Sequence, residues 1–424
     1  MSDQLLSYEE AAAMVVGYAE ALDCLLVIER VALARAPGRV LAQSLDADVD
    51  QPPFARSTRD GFACRAAEAS THARLRVAGA THAGEAPGGP LPLDAAWEIM
   101  TGAPVPTDAD AVIMVEHVER NRDRVRLLQA RTVSAGDNIV GQGVQAHRGD
   151  TLLPSGTRMG PAQVALAASL GYAELDVFAR PRIAILTTGD ELVPVESKPG
   201  LGQIRNSNAP MLAALVSAAG GEPWVLPAAA DTAESLDDAL SQAVEADLLL
   251  ISGGVSAGKF DLVEPALERR GARFHFTGVR IQPGKPTVFG DVTRWGGGSS
   301  AAPLKPSVLP FFGLPGNPIS SAATFLLFAA PVLRALASDR ELDPRFVLAE
   351  LTKDTDRHAK PGLTRFLPAR YESYPPGARL PQVATVPWHG SGDLPAFARS
   401  NCFVVVPEGA SRLEAGAIVR ILLQ

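Results

Sequence analysis

Apolar residues follow different periods along the chain and divide it into regions of different character. Ser7-Tyr-Glu-Glu10 forms a capping box before an Ala-rich run, which predicts an opening helix. Between about residues 31 and 151, short β-type runs alternate with Gly and Pro clusters, which is typical of a β-rich domain with long loops. Helical spacing returns at 160–170, so two separated segments are expected to form one helical region.

From residue 182 the pattern changes to alternating apolar strands and helices. The predicted elements are strands at 183–188, 224–229 and 248–252, and helices at 210–219, 232–246 and 319–336. This order predicts a parallel sheet, which binds its ligands beyond the carboxyl ends of the strands. After about residue 343, short strands and Gly/Pro turns predict a small terminal β-domain.

The fold class expected from these patterns is a multidomain α/β and β protein. Its central three-layer α/β domain is joined by a β-rich domain, a helical or linker domain and a small C-terminal β-domain. The expected limits are 1–30 with 146–180 for the helical or linker domain, 31–145 for the β-rich domain, 181–340 for the α/β domain and 341–424 for the C-terminal domain.

Composition narrows the class of protein. Hydrophobic residues make up 46% and charged residues 20%, as in soluble globular proteins. The net charge of −8 disfavours a nucleic-acid partner, since phosphate neutralisation needs surplus cations. The 3 cysteines form no Cys-x-x-Cys pair, and no signal peptide is indicated. Because the longest apolar stretch is broken by Pro331 and falls short of the roughly 20 residues that span a bilayer, we expect a cytoplasmic protein without a membrane partner.

Two apolar strands end in small and polar residues. Thr188-Gly-Asp-Glu191 follows one strand, and Ser252-Gly-Gly-Val-Ser256 follows another. Such turns allow backbone N–H groups to approach an anion such as phosphate. One glycine pair alone more often marks a tight turn, but two such turns at one sheet edge favour an anion site. Its candidate residues are Thr188, Gly189, Asp190, Ser252, Gly253, Gly254 and Ser256.

Three carboxylates fall at the same predicted edge. Glu191, Asp231 and Asp261 each follow a strand or its turn, and such oxygen ligands are suited to a divalent cation. Asp231 with Glu234 also fits a capping box at a helix start, and so does Asp261 with Glu264. Capping and ligand binding both remain open for these two aspartates.

Two Gly- and Pro-containing segments complete the candidate site. Pro283-Gly-Lys-Pro286 fixes the direction of Lys285, which favours anion binding over a solvated surface charge. Leu314-Pro-Gly-Asn-Pro318 ends a further apolar strand, and Pro318 is suited to start the helix that follows.

The two strand-end turns and the two Gly- and Pro-containing segments resemble motifs of the molybdopterin molybdenumtransferase family and occur in the family's order. This family includes bacterial MoeA and the C-terminal domain of gephyrin. The resemblance extends to Thr58-Arg-Asp-Gly-Phe-Ala63 and Ile99-Met-Thr-Gly-Ala-Pro-Val-Pro-Thr107 in the β-rich region. It also includes Gly390-Ser-Gly-Asp393 in the last domain. The motifs cover nearly the whole chain.

The resemblance implies a homodimer with a shared active site, in which the α/β domain binds molybdopterin. The implied reaction converts adenylylated molybdopterin and molybdate into molybdenum cofactor and AMP with the help of Mg²⁺, and the molybdopterin adenylyltransferase is an implied partner. The implied catalytic residues are Asp60, Thr101, Glu191, Asp231, Asp261 and Lys285. The implied metal ligands are Glu191, Asp231 and Asp261. The implied binding residues add Pro315, Pro318 and Ser391 to the two turns.

The chain departs from the family pattern at several anion-site positions. Val140 stands where the family has Arg, and Gln145 stands where it has Asp. Gln282 replaces a frequent Lys, and Leu363 replaces an expected Arg, although Arg365 lies two residues on. These losses should weaken anion binding, because each charge-assisted hydrogen bond is worth roughly 1.5–3 kcal/mol.

Two functions therefore stay open. The retained carboxylates favour an active transferase with a rearranged anion site. The substitutions favour a non-catalytic paralogue that binds molybdopterin or molybdate as carrier, sensor or scaffold. An unrelated phosphotransferase is disfavoured because the sequence has no Walker-type loop. In an active enzyme, His147, Arg148 and Asp150 are the nearest replacements for the lost charges, but their segment is also typical of a simple surface turn.

Overall fold

The structure is a computed structural model that describes residues 5–22, 27–86, 89–254, 262–294, 307–355, 362–372 and 380–424. The predicted site residues Ser256 and Asp261 lie outside the described residues. The described regions follow one another in the predicted order, from linker and β-rich region to α/β domain and terminal β-domain.

Short elements make up the first 180 residues. The helices are α1 (Tyr8–Glu20), α2 (Ala66–Ala69) and α3 (Pro161–Ser169), with 3-10 turns at Leu33–Arg35 and Val115–His117. The strands are β1 (Ile28–Ala32), β2 (Leu45–Asp46), β3 (Arg56–Ser57), β4 (Gly61–Cys64), β5 (Leu75–Thr81), β6 (Ala95–Ile99), β7 (Ala111–Met114), β8 (Val118–Asn121), β9 (Arg124–Leu127), β10 (Ile139–Val140), β11 (Thr151–Leu153) and β12 (Glu174–Phe178). Antiparallel pairs β1–β12 and β2–β11 join residues 28–46 to residues 151–178.

The β-rich region is built on one sheet with the order β7-β4-β6-β5-β9-β8. Apolar side chains cover both faces of this sheet, with Phe62 in one cluster and Trp97 in the other. The short pair β3–β10 lies outside this sheet and carries residues that flank the Asp60 segment. The predicted β-rich region is therefore present.

The α/β domain contains a mixed sheet covered by helices. Its helices are α4 (Asn208–Ala219), α5 (Ala233–Ala243), α6 (Val263–Arg269), α7 (Pro318–Thr324) and α8 (Ala330–Leu336). Its strands are β13 (Arg182–Thr187), β14 (Leu192–Val193), β15 (Ile204–Arg205), β16 (Glu222–Val225), β17 (Leu248–Ser252), β18 (Arg273–Phe276), β19 (Ile281–Gln282), β20 (Val288–Thr293) and β21 (Val308–Leu314). The sheet order is β16-β13-β17-β21-β20-β18, in which β16, β13, β17 and β21 are parallel and β20 and β18 form an antiparallel edge.

The apolar helix that includes α7 and α8 is continuous through Pro331. Phe325–Ala329 are π-helical, and only Ala330 separates them from this proline, which has no backbone N–H to donate. The predicted helix at 319–336 is therefore present, and the expectation that Pro331 breaks the longest apolar stretch was wrong. Among the described helices, Pro318–Leu336 alone is long and apolar enough to cross a membrane, but 78% of its apolar window is buried inside the protein, as in a core helix.

The C-terminal region forms a small closed barrel. Its elements are β22 (Phe346–Leu351), β23 (Thr364–Glu372), β24 (Gln382–Thr385), α9 (Leu394–Arg399), β25 (Cys402–Val406) and β26 (Ile418–Leu423). The barrel closes because β23 pairs with both β24 and β25. Strand β19 pairs with the start of β23, so the barrel is hydrogen-bonded to the α/β domain.

Helix α1 packs against the α/β domain and the barrel. The ring of Tyr8 lies 6.2 Å from that of Phe328, 6.4 Å from that of Phe346 and 5.4 Å from that of Phe366. Burial raises the pKa of Tyr8 to about 12. This packing differs from the predicted grouping of residues 1–30 with 146–180, because the apolar face of α1 covers the α/β sheet. The other domain limits stay predictions.

Replacing Tyr8 by Ala should lower the free energy of unfolding by about 3–5 kcal/mol, as for other aromatic truncations in a core. The ring contacts helices and strands from three parts of the chain, so these parts should separate more readily. Tyr8→Phe keeps the ring and should cost less than about 1.5 kcal/mol. Denaturant unfolding of both variants measures the difference, and an unchanged transition in Tyr8→Ala would refute this role.

Candidate functional site

A cleft of about 860 Å³ opens at the carboxyl ends of β13, β17 and β21. Its walls come from the turns after these strands, the segment that leads into α4 and the start of α9. The predicted residues that line it are Thr188, Gly189, Glu191, Asp231, Ser252, Gly253, Gly254, Pro315 and Pro318. The fold therefore brings together most of the described residues that the sequence assigned to the α/β part of the site.

Lys285 and Ser391 border this cleft but do not line it. Lys285 directly precedes Pro286, and Ser391 directly precedes Gly392, and both following residues are in the cleft wall. The carbonyl of Ser391 accepts a hydrogen bond from the N–H of Ile319 at 3.0 Å. This bond holds the Ser391 loop against the start of α7.

The Gly253–Gly254 turn is packed tightly against the turn after β13. The N–H of Thr188 donates to the carbonyl of Ser252 at 3.1 Å. A Cβ at Gly253 would lie 2.6 Å from the carbonyl oxygen of Thr188, and one at Gly254 would lie 2.8 Å from Val263 Cγ2. Both glycines have positive φ, 101° and 63°. The two turns can therefore lie side by side only with glycine at these positions.

Asp231 does not cap helix α5. The helix begins after Thr232, whose side-chain oxygen accepts the N–H of Ser235 at 3.2 Å. The backbone N–H of Asp231 instead donates to Asp190 Oδ1 at 3.0 Å. The proposed capping box of Asp231 with Glu234 was therefore wrong, and the Asp231 side chain lines the cleft. Asp190 supports this loop and is not itself among the lining residues.

The donor set of the cleft fits Mg²⁺. Glu191 and Asp231 both line it, and a Cβ at Gly189 would lie 2.5 Å from Glu191 Oε2, which puts this carboxylate against the turn. Mg²⁺ is commonly held by one or two carboxylates together with substrate phosphates. Within the described parts of the chain, no group of three His, Cys, Asp or Glu side chains is placed to hold a metal. The third predicted ligand, Asp261, lies outside them.

Two asparagines that the sequence motifs did not identify connect the start of α4 to the ends of β13, β17 and β21. Asn208 Nδ2 donates to Ser252 Oγ at 2.9 Å and to the carbonyl of Gly316 at 2.6 Å. Asn206 Nδ2 donates to Thr187 Oγ1 at 2.8 Å. The sequence feature that could have identified them is the polar Asn-Ser-Asn run before an apolar helix. These amides fix the wall of the cleft against three strand ends.

Two polar atoms at the base of the cleft have unused hydrogen-bonding capacity. Thr188 Oγ1 and Asn208 Oδ1 are buried, and neither has a partner among the described residues. Buried polar atoms in proteins are nearly always hydrogen-bonded. A ligand with polar groups at this position would satisfy both atoms.

Asp60 and Thr101 form a separate rigid unit in the β-rich region. The N–H and Oγ1 of Thr101 donate to Asp60 Oδ1 at 2.7 Å and 2.8 Å. These bonds, the backbone one first, lower the pKa of Asp60. Gly61 allows β4 to approach β7 closely, since a Cβ there would lie 1.9 Å from the carbonyl oxygen of Ile113. The Asp60 carboxylate is therefore held ionised in a fixed position.

The cleft and the Asp60–Thr101 unit are not joined within one chain. The described residues that line the cleft include none from 31–145. The resemblance implied one site shared between two subunits, and within a single chain the two groups lie apart.

The segment 140–148 contacts Asp50. The Asp50 carboxylate accepts hydrogen bonds from the backbone N–H of Arg148 and from Gln142 Nε2, both at 3.0 Å. The bond from the Arg148 N–H is the main cause of the lowered pKa of Asp50. The N–H of Gln145 donates to the carbonyl of Gln51 at 2.9 Å. The segment is thus fixed by local contacts.

His147–Asp150 has the contacts of a surface turn. Asp150 Oδ2 accepts the N–H of His147 at 2.8 Å, and the His147 side chain is 75% exposed. The Asp150 carboxylate therefore closes its own turn. This geometry favours the simple-turn alternative over replacement of the lost charges.

Arg365 does not stand in for an arginine at Leu363. It is 4% exposed and donates to the carbonyl of Ser411 at 3.1 Å. Burial lowers the pKa of Arg365. Gln282 pairs with Arg365 between β19 and β23, so this position lies where the α/β domain joins the barrel.

Family profiles match the chain in three consecutive parts. "MoeA N-terminal region (domain I and II)" matches residues 6–171, "Probable molybdopterin binding domain" matches 184–335, and "MoeA C-terminal region (domain IV)" matches 350–423. The molybdopterin molybdenumtransferase of Bacillus subtilis is 34% identical, over 93% of this chain and 89% of its own length. That of a Nostoc species is 32% identical, over 98% of this chain and 93% of its own length.

Solved structures agree with the predicted fold class. A molybdopterin biosynthesis MoeA protein from Pyrococcus horikoshii superposes with a TM-score of 0.78 at 28% identity, covering 99% of this chain and 100% of the other. A second structure of a MoeA protein from this organism gives a TM-score of 0.72 at 30% identity, covering 99% of both chains. The multidomain α/β and β architecture is confirmed.

Thr101→Val should raise the pKa of Asp60 partway toward the ordinary value of about 3.9, because one of two hydrogen bonds to the carboxylate is lost. Since the folded-state pKa is lowered, these bonds stabilise the fold above the ordinary pKa, and this contribution disappears as the pH falls through the lowered value. NMR titration of ¹³C-labelled aspartate measures the pKa, with Thr101→Ser as control. An equal pKa in the Val and Ser variants would show that the hydroxyl does not contribute.

Proposed function

Because the chain belongs to the molybdopterin molybdenumtransferase (MoeA) family, we propose that it inserts molybdate into adenylylated molybdopterin and releases molybdenum cofactor and AMP. The observation that carries the proposal is the cleft, where two carboxylates and two close-packed glycine turns meet at the ends of three parallel strands. Such an edge is where parallel α/β sheets bind phosphorylated ligands.

Different residues of the cleft bind the pyrophosphate of adenylylated molybdopterin and assist its cleavage. The hydroxyl groups of Thr188 and Ser252 hold phosphate oxygens as hydrogen-bond donors. Lys285, at the border of the cleft, neutralises negative charge as the phosphate bond breaks. Glu191 and Asp231 would hold Mg²⁺, which polarises the pyrophosphate oxygens when bound.

We further propose a homodimer in which the Asp60–Thr101 unit of one subunit completes the cleft of the other. Two observations support this arrangement. The unit is rigid and keeps an ionised carboxylate, and the described cleft has no residue from the same chain's β-rich region. In the assembled site, Asp60 would position the nucleophile for the transfer.

The proposal includes the cytoplasm as the location and the molybdopterin adenylyltransferase as the enzyme that delivers the adenylylated substrate. The described cysteines, Cys64 and Cys402, are free and buried, in keeping with a reducing compartment. The non-catalytic paralogue is the competing function, and it is favoured only by the charges missing at Val140 and Gln145.

Purified protein incubated with adenylylated molybdopterin, Mg²⁺ and molybdate should release AMP and mature cofactor. Glu191→Gln should lower turnover more than about tenfold, because a metal-holding carboxylate is lost. Glu196→Gln, which removes an exposed carboxylate outside the cleft wall, is the matched control and should keep full turnover. Substrate binding without any AMP release would instead identify the carrier, sensor or scaffold.

Mixed dimers test the shared site. Asp60→Ala and Glu191→Gln proteins should each be inactive, but random mixing should restore about a quarter of parent activity, because half of the dimers are hybrids with one intact site of two. The matched control is a mixture of the parent with a protein that carries both Asp60→Ala and Glu191→Gln. The hybrid dimers in this mixture should have no intact site. A monomer in sedimentation, or mixtures without restored activity, would rule out the shared site.

A further inference from the structure

Arg56 lies next to the Asp60–Thr101 unit. The carbonyl of Ser57 accepts a hydrogen bond from the N–H of Gly102 at 2.8 Å, and Gly102 directly follows Thr101. Arg56 is thus one residue from a backbone contact that fixes the Thr101 loop. Nothing in the family motifs named above assigns a role to this arginine.

The guanidinium of Arg56 has no partner in the described parts of the chain. Arg56 is half-buried, and its Nε is buried without a hydrogen bond. Two other described arginines have a buried Nε without a hydrogen bond, but each is paired with a carboxylate: Arg280 with Glu408, and Arg412 with Asp354. Leaving a buried N–H donor without a partner costs free energy. Arg56 therefore has the properties of a cation retained for an anionic ligand.

Val140, which stands where the family has an arginine, is the direct partner of Arg56. Strands β3 and β10 are antiparallel, with Ile139 opposite Ser57 and Val140 opposite Arg56. Directly opposed residues place their side chains on the same face, with Cβ atoms about 4.5–5.5 Å apart. A guanidinium carried at either position can therefore reach the same space.

We propose that Arg56 binds the phosphoanhydride oxygens of the adenylylated substrate and takes the place of an arginine at position 140. The inference rests on the proposed function and on the shared site. The ionised Asp60 repels an anionic substrate, so a neighbouring cation is needed, and the planar guanidinium matches phosphate oxygens with paired donors. The loop of His147 and Arg148 is tied to Asp50 and is a poorer source of this charge.

The test transfers the positive charge from position 56 on β3 to the opposed position 140 on β10. Arg56→Gln keeps much of the buried stem and should raise KM for adenylylated molybdopterin about tenfold or more, with kcat changed less than about threefold. Adding Val140→Arg to Arg56→Gln should return KM to within about threefold of the parent. Arg56→Lys, which keeps the charge but not the paired donors, should give an intermediate KM.

Arg131→Gln is the matched control. It removes an exposed arginine that follows β9, and β6 and β5 lie between β9 and β4 in the sheet. Its KM should equal that of the parent. An unchanged KM in Arg56→Gln would overturn the proposal. So would a lowered melting temperature and raised KM that Val140→Arg does not restore, because a purely structural role cannot be transferred to position 140.

Calorimetric binding of adenylylated molybdopterin to the same full-length variants separates this inference from the proposed reaction. If the parent binds the substrate but releases no AMP, the transferase proposal fails, and Kd then decides the role of Arg56. A tenfold weaker Kd in Arg56→Gln, restored by Val140→Arg, would support it. Equal Kd values in parent and Arg56→Gln, or a parent that does not bind the substrate, would reject it.

Discussion

The contact between the turns that end β13 and β17 is the constraint on which the rest of the candidate site depends. Gly253 lies so close to the carbonyl of Thr188 that any side chain would separate the two strand ends. Because the turns lie side by side, Thr188 and Ser252 line the same cleft, and Asn208 can tie helix α4 to Ser252. The cleft is therefore formed before any ligand arrives, which reduces the ordering cost of binding.

The second half of the candidate site is equally rigid but lies elsewhere in the chain. Thr101 holds the Asp60 carboxylate through two hydrogen bonds, and the close packing around Gly61 fixes the strand behind it. Neither half needs the other in order to form. A transferase built in this way would depend on the geometry with which two preformed surfaces meet, and substitutions at Val140 or Arg56 would act through that meeting surface.

Local patterns predicted much of the fold, whereas long-range pairing was not readable from one sequence. The capping box at Ser7 and the helix end at Gly220 depend on neighbouring residues and are present as expected. The packing of α1 on the α/β sheet and the ties made by Asn208 depend on distant partners. The opposition of Arg56 and Val140 is likewise a matter of strand register, which the motif order does not reveal. The motifs identified residues that line the cleft, but not the residues that support them.

A crystal structure of the Glu191→Gln protein with bound adenylylated molybdopterin is the most direct measurement of the central claim. We expect phosphate oxygens on the Thr188 and Ser252 turns, with the β-rich domain of a second copy closing the cleft. A substrate bound away from these turns, or a cleft closed by the β-rich domain of its own chain, would contradict it.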